Sequence, residues 1–301
     1  MSPSRKRVAV AELEHRFSVS ERRACRTLDQ PRSSQRYVGQ PRHDEGPLRK
    51  RLRELARRRP RFGYRQIARL LRHESWKVGD GRVYRLWRQE GLKVPVKSGK
   101  RRRLGSSDQA CHVDRATAPN DVWCWDFIFD RTMSGQTLKW LSVIDEFTRE
   151  LLILKVDRSI TSEDVIDSLA KLIAYRGVPR AIRGDNGPEF VARSIRDWLA
   201  RLGVSTLYIE PGSPWQNGYA ESFHSRLRDE FLRVEVFPSL REAQSLTATW
   251  QHDYNTVRPH GSIEGMTPAM FADRWAASAW APAAPPPSLP QPIDFTQPFP
   301  S

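Results

Sequence analysis

Three carboxylates sit where an ordinary structural acid has little reason to be. Asp126 lies in Trp123-Cys124-Trp125-Asp126-Phe127, an apolar run in which an unpaired charge is costly. Asp185 opens Asp185-Asn186-Gly187-Pro188-Glu189-Phe190. Glu221 lies in Pro214-Trp215-Gln216-Asn217-Gly218-Tyr219-Ala220-Glu221-Ser222-Phe223, with thirty-five residues between it and Asp185. Carboxylate oxygens suit magnesium or manganese, which keep several waters and need only two or three such ligands. Two cations roughly 3.5–4 Å apart assist phosphoryl transfer by serving the attacking and the leaving oxygen. Asp126, Asp185 and Glu221 are therefore candidate catalytic residues and ligands of a two-ion Mg2+ or Mn2+ site acting on phosphodiesters. Singly, each has a plainer reading: Asp126 as a strand-edge acid, Asp185-Asn186-Gly187 as a turn, Glu221 as an acid complementing a helix N-terminus. Together, those readings leave the element order and the spacing unexplained.

The elements that must position the acids are legible as apolar runs and caps. Residues 122–129, 138–145 and 151–156 read as three strands, with Ser134-Gly135 as the turn before the second. Thr161 and Asp164 form a capping-box arrangement for a helix running to Arg176 and ended by Gly177-Val178-Pro179. A short strand ending in Ile182 delivers Asp185. A helix over 188–202, a strand over 206–209 and a helix over 218–233 follow. The order βββαβαβα puts Asp126 in mid-strand, Asp185 at a strand end and Glu221 in the first turns of the last helix, all on rigid elements. Arg228 falls two turns beyond Glu221 near the same face, roughly 10 Å along the axis, where it can grip a neighbouring phosphate. A long helix over 240–255 comes next, then Asp253 to Ser262, and residues 281–301 read as a flexible Pro/Ala-rich tail.

Charge divides the chain. Residues 1–110 hold 31 Lys and Arg against 11 Asp and Glu, a net +20, while the whole chain carries +15. A basic front before a mildly acidic body points to nucleic acid. Residues 1–43 read as a helix-turn-helix-like segment: a capped helix at Ser20, a break at Asp29-Gln30-Pro31, and a polar second helix from Arg32. Residues 44–105 read as a second such domain, with helices over 47–59, 65–72 and 82–92 and a basic tether from Lys97 to Arg103. In its last helix Val83, Leu86 and Trp87 make the buried face and leave Arg82, Arg85 and Arg88 on the others. Those three, Arg65, and Lys100, Arg101, Arg102 and Arg103 of the tether are expected to contact DNA; the plainer alternative is a solvated basic surface. Residues 106–120 read as a linker, 121–275 as the catalytic core and 276–301 as the tail. Cys25, Cys111 and Cys124 make no C-x-x-C pair, and neither a membrane-spanning run nor a secretory signal is present. The chain is expected to be cytoplasmic, with no membrane partner.

On Trp125-Asp126-Phe127, Val143 to Arg149, Asp185 to Phe190, Ser213 to Ser222 and Tyr254-Asn255 to Ser262, the chain resembles an OrfB-type transposase of the IS-three insertion-sequence family, with a retroviral-integrase-like core. The likeness covers roughly residues 44–275. It implies an α/β fold: a ribonuclease-H-like mixed five-stranded sheet preceded by small all-α helix-turn-helix segments. It also implies that Asp126, Asp185 and Glu221 form the metal-binding triad, that Arg228 is the basic residue following the glutamate, and that Asn186 lies with it on DNA. The activity implied is nicking of element ends, followed by attack of the freed 3′-hydroxyl on a second phosphodiester. The implied partners are double-stranded DNA (terminal repeats and target), an OrfA protein and further copies of the chain, in the nucleoid of a bacterium. Two features depart from the family pattern: Gly184 stands where a serine is common, and the Pro-rich tail lies outside it.

Two other readings compete. One is a DNA-binding regulator with a silent core, against which the intact triad argues. The other is a nuclease of the same class that only hydrolyses, for which paired DNA-binding segments would be superfluous.

Overall fold

A computed structural model describes residues 1–38, 42–95, 115–184, 193–208 and 218–279. The tether residues Lys100 to Arg103, the start of the helix expected at Pro188, Cys111 and the tail from 281 lie outside them. The chain divides into two units, Met1–Arg53 and Glu54–Ser301.

In the first unit, α1 (Pro3–Phe17), α2 (Glu21–Thr27) and α3 (Arg32–Arg36) close around Val10, Ala24 and Cys25. Ser20 caps α2 as expected, its hydroxyl accepting from the Arg23 amide at 3.4 Å. Two features differ from the sequence reading. A further helix precedes the one capped by Ser20, beginning at Pro3, where a missing N–H costs nothing. The second expected helix is only five residues long, and Arg32 and Arg36 both pair with Glu21 at 2.9 Å.

The helix α4 (Glu45–Arg58) leads into the second unit, followed by α5 (Tyr64–His73) and α6 (Asp80–Gln89). Ile67, Leu70 and Leu71 of α5, and Val83, Leu86 and Trp87 of α6, are buried, as the three-four spacing requires.

The sheet then forms from β1 (Val122–Arg131), β2 (Thr137–Asp145), β3 (Leu151–Asp157), β4 (Ala181–Gly184) and β5 (Ser205–Tyr208), in the order β3-β2-β1-β4-β5. β1, β2 and β3 pair antiparallel, whereas β4 and β5 join β1 in parallel. This is the ribonuclease-H-like mixed sheet, in the expected element order. Its helices are α7 (Ser162–Arg176), α8 (Arg193–Arg201), α9 (Gly218–Leu227), α10 (Leu240–Thr256) and α11 (Pro268–Ala279). The strands are apolar on both sides because helices cover both faces. Trp123, Trp125, Leu141 and Ile182 pack with Val165 and Leu169 of α7 and Ile195 and Leu199 of α8. Cys124, Ile128, Trp140 and Ile144 pack with Phe223 and Leu227 of α9 and Trp250 and Tyr254 of α10. The Thr161–Asp164 capping box that starts α7 is present with both of its hydrogen bonds.

The helix expected over 218–233 is not one helix. It changes after Leu227 into a π-helical turn, Arg228–Leu232. The wider turn buries Asp229, Phe231 and Leu232 together. Phe231 stacks on Trp250 at 5.6 Å, Asp229 pairs with Arg61, and Glu230 takes two hydrogen bonds from Arg258 at 2.6 and 2.5 Å. Turns of this kind gather at functional sites.

Candidate active site

Alternation along β1 puts Asp126 on the same sheet face as Cys124 and Ile128, the face that α9 covers. Ala220, Phe223 and Leu227, at three-four spacing, fix α9 to that face. The residue after Phe223 thereby meets the acid: His224 Nδ1 stands 3.3 Å from Asp126 Oδ2. On its other side His224 Nε2 lies 3.3 Å from Ser142 Oγ, and Ser142 Oγ is 3.0 Å from the Asp126 carbonyl oxygen. Asp126 and Ser142 are paired in the β1–β2 register, so the contacts close a ring on Asp126 itself. Burial, and then the Arg228 charge, holds His224 down to about 4, so the imidazole is neutral near pH 7. Facing a carboxylate, the neutral ring carries its proton best on Nδ1. The Asp126 side chain keeps 20% of its surface open. Glu221 is exposed one turn before His224, in the first turn of α9, where the helix dipole favours an acid. Arg228 is exposed at the start of the π turn.

The other side of β1 explains the glycine that departs from the family pattern. Cys124 pairs with Arg183 in the parallel register, so Gly184, the last residue of β4, comes level with Trp125. A Cβ on Gly184 would overlap the Trp125 indole. Arg183, itself buried, donates to Glu146 at 2.7 Å and opposes the upward push of burial on that carboxyl. Asp145 accepts from the amides of Asn120, Phe147 and Thr148 at 2.7, 2.8 and 3.0 Å, which shapes the Val143–Arg149 stretch.

The structure therefore brings Asp126 and the first turns of α9 together, while Asp185 and Asn186 lie outside the described residues. Among the described residues no three His, Cys, Asp or Glu side chains form a group able to hold a metal ion. Of the expected DNA contacts, Arg65, Arg85 and Arg88 are exposed and Arg82 is half-buried. His224 and Ser142 were not singled out by the sequence reading. Glu221-x-x-His224 was a usable signal, since residues three apart share a helix face; Ser142 carried none. Among the described residues no helix is long and apolar enough to cross a membrane.

Residues 116–214 and 202–268 match families described as integrase core domain, and residues 42–102 match an HTH-like domain. The chain is 38% identical over 275 residues to the insertion element IS407 uncharacterized 31.7 kDa protein of Burkholderia multivorans, covering 91% of this chain and 98% of that protein. It is 39% identical to the IS476 uncharacterized 39.2 kDa protein of Xanthomonas euvesicatoria, over 90% of this chain and 78% of that one. It is 24% identical to the putative transposase InsK of the IS150 element of Escherichia coli, over 75% of this chain and 83% of that one. Among solved structures, the HTLV-2 integrase catalytic core in complex with magnesium is similar at 15% identity and a TM-score of 0.43, over 52% of this chain and 99% of that one. The chain belongs to the insertion-element transposases with an integrase core and an HTH-like domain, the OrfB-type DDE enzymes of the IS-three family.

Proposed function

We propose that Asp126, Asp185 and Glu221 are the carboxylates with which this transposase holds two divalent cations, Mg2+ or Mn2+, to nick element ends and join the freed 3′-hydroxyl to target DNA. The observation that carries this is Asp126: a partly open acid on a largely apolar sheet face, met by His224 one turn beyond Glu221. Gly184, level with Trp125 at the end of β4, supports delivery of Asp185 to the same end of the sheet. The donor set is carboxylate oxygen, the type that hard cations take. When bound, such cations neutralise charge on the attacking and leaving oxygens.

The chain's own residues position the reaction. Neutral, buried His224 orients the Asp126 carboxylate. Arg228, exposed beyond Glu221, and Asn186 hold phosphates beside the scissile one. Over residues 44–105, Arg65, Arg82, Arg85 and Arg88, with Lys100, Arg101, Arg102 and Arg103, track the DNA backbone, and residues 121–275 carry the chemistry. Pairing two element ends calls for a homo-oligomer on DNA, an OrfA protein in support and a place in the bacterial nucleoid.

Terbium luminescence tests the metal assignment without relying on activity. Tb3+ seeks the same oxygen donors and is sensitised by nearby indoles, here Trp123 and Trp125. Wild type is expected to give emission that Mn2+ displaces, and Asp126→Asn and Glu221→Gln to lose it with unchanged thermal stability. Equal emission from all three proteins would remove these residues as ligands.

A further inference from the structure

Two stretches of the chain that the triad does not use, Val143–Arg149 and Tyr254–Ser262, meet the flank of α9 around one cavity. It has a volume of about 330 Å³, within the range of roughly 300–1,000 Å³ typical of ligand pockets. Arg149 comes from the first stretch, His260 and Ser262 from the second, Tyr219, Ser222 and Arg226 from α9, and Arg115 from the segment before β1.

Arg115, Arg149 and Arg226 bring positive charge to a lining whose other residues are apolar or neutral. Arg149 sits in the left-handed region at φ 67°, and its guanidinium carbon lies 3.9 Å from the centre of the Tyr219 ring. Its Nε and Nη1 are buried and have no hydrogen-bond partner among the described residues. His260, 2% exposed, is kept neutral by its burial and adds no charge to the lining. Burial, and then the Arg258 charge, pulls half-buried Arg226 below the ordinary arginine value. The nearby carboxylates make their ion pairs with other arginines, Glu146 with Arg183 and Glu230 with Arg258, while their charges still reach Arg149 and Arg226. Guanidinium N–H groups buried without an acceptor, as at Arg149, are a costly arrangement that a bound anion would relieve, and guanidinium groups match phosphate geometry.

We propose that this cavity is an anion pocket that takes a backbone phosphate of the DNA strand lying along α9, next to Glu221. The proposal rests on the chain acting on DNA and is independent of which residues bind metal.

The test uses the full-length protein in EDTA, so that a failure of the metal assignment cannot affect it. Thermal unfolding is followed with inorganic phosphate, thymidine 5′-monophosphate and an element-end duplex, and DNA binding is measured against salt. Phosphate and DNA should raise the wild-type Tm. The Arg149→Met/Arg226→Met variant should unfold at the same or a higher temperature without ligand, because it removes the buried Arg149 N–H groups that lack an acceptor. It should lose the phosphate response, and its salt slope should be shallower by about 1 for each DNA phosphate it no longer holds. Arg226→Lys should keep part of the phosphate shift; Arg226→Gln replaces the double variant if that does not fold. An unchanged salt slope would overturn the proposal. So would protection by phosphate or the mononucleotide with no change in DNA binding, which marks a free-phosphate site. Loss of stability in Arg226→Lys and Arg226→Gln alike would make the guanidinium structural and overturn it too.

Discussion

The indole of Trp125 fills the space that a side chain on residue 184 would need. Trp125 is almost fully buried and precedes Asp126, so the pair ties β1, which carries Asp126, to β4, which ends one residue before Asp185 in the sequence. Gly184→Ser is expected to cost about 1–3 kcal/mol through overpacking and to lower DNA cleavage. Trp125→Leu in the Gly184→Ser background should recover part of the stability, since it vacates the disputed volume. Urea unfolding followed by circular dichroism checks this; a Gly184→Ser protein as stable as wild type would contradict it.

His224 acts through Asp126, so its loss should register in the metal requirement. His224→Leu is expected to reduce Mg2+ affinity or activity by roughly 10–100-fold, with DNA binding in EDTA unchanged. Asn keeps an N–H close to the position of Nδ1, and His224→Asn should retain most of the activity. Equal losses in both variants would make His224 a packing residue.

At Asp164 the Thr161 amide, then the Thr161 hydroxyl, then Lys155 pull the carboxyl from its ordinary 3.8 down to about 2. The unfolded chain therefore binds a proton more readily than the folded one between those values. The stabilisation is present above about 3.8 and is lost as pH falls through about 2. Asp164→Asn should lower Tm at neutral pH and flatten its fall across that window. An unchanged profile would show that the capping box contributes nothing there.

The sheet was legible because its strands are nearly continuous apolar runs, and α7 because Thr161 and Asp164 stand at capping-box spacing. The three acids stood out as candidates by type and spacing, and of these Asp126, an acid in such a run, is the one the structure places on the face that α9 covers. The π turn at Arg228–Leu232 was not, because its cause is tertiary: Arg61, Arg258 and Trp250 draw Asp229, Glu230 and Phe231 to their partners. The start of α1 at Pro3 was hidden by a segment with few apolar residues and many charges. Gly184 read as a departure from the family until Trp125 explained it. Ser142 gave no signal, since only the β1–β2 register makes it a neighbour of Asp126.

Arg85 and Arg88 are exposed on α6, turned away from its buried Val83, Leu86 and Trp87. Replacing both with Ala should weaken DNA binding, with thermal stability unchanged. The salt slope should become shallower by about 1 for each phosphate that the two arginines grip in the wild type. Unaltered binding would leave α6 as a solvated basic helix.

The most direct test of the central claim is strand joining from a pre-nicked element end, which supplies the 3′-hydroxyl and bypasses the hydrolytic step. Wild type with Mg2+ should join the end to target DNA. Glu221→Gln and Asp126→Asn should bind the same DNA and give no joined product. Joining that survives either substitution, or that proceeds in EDTA, would contradict the account.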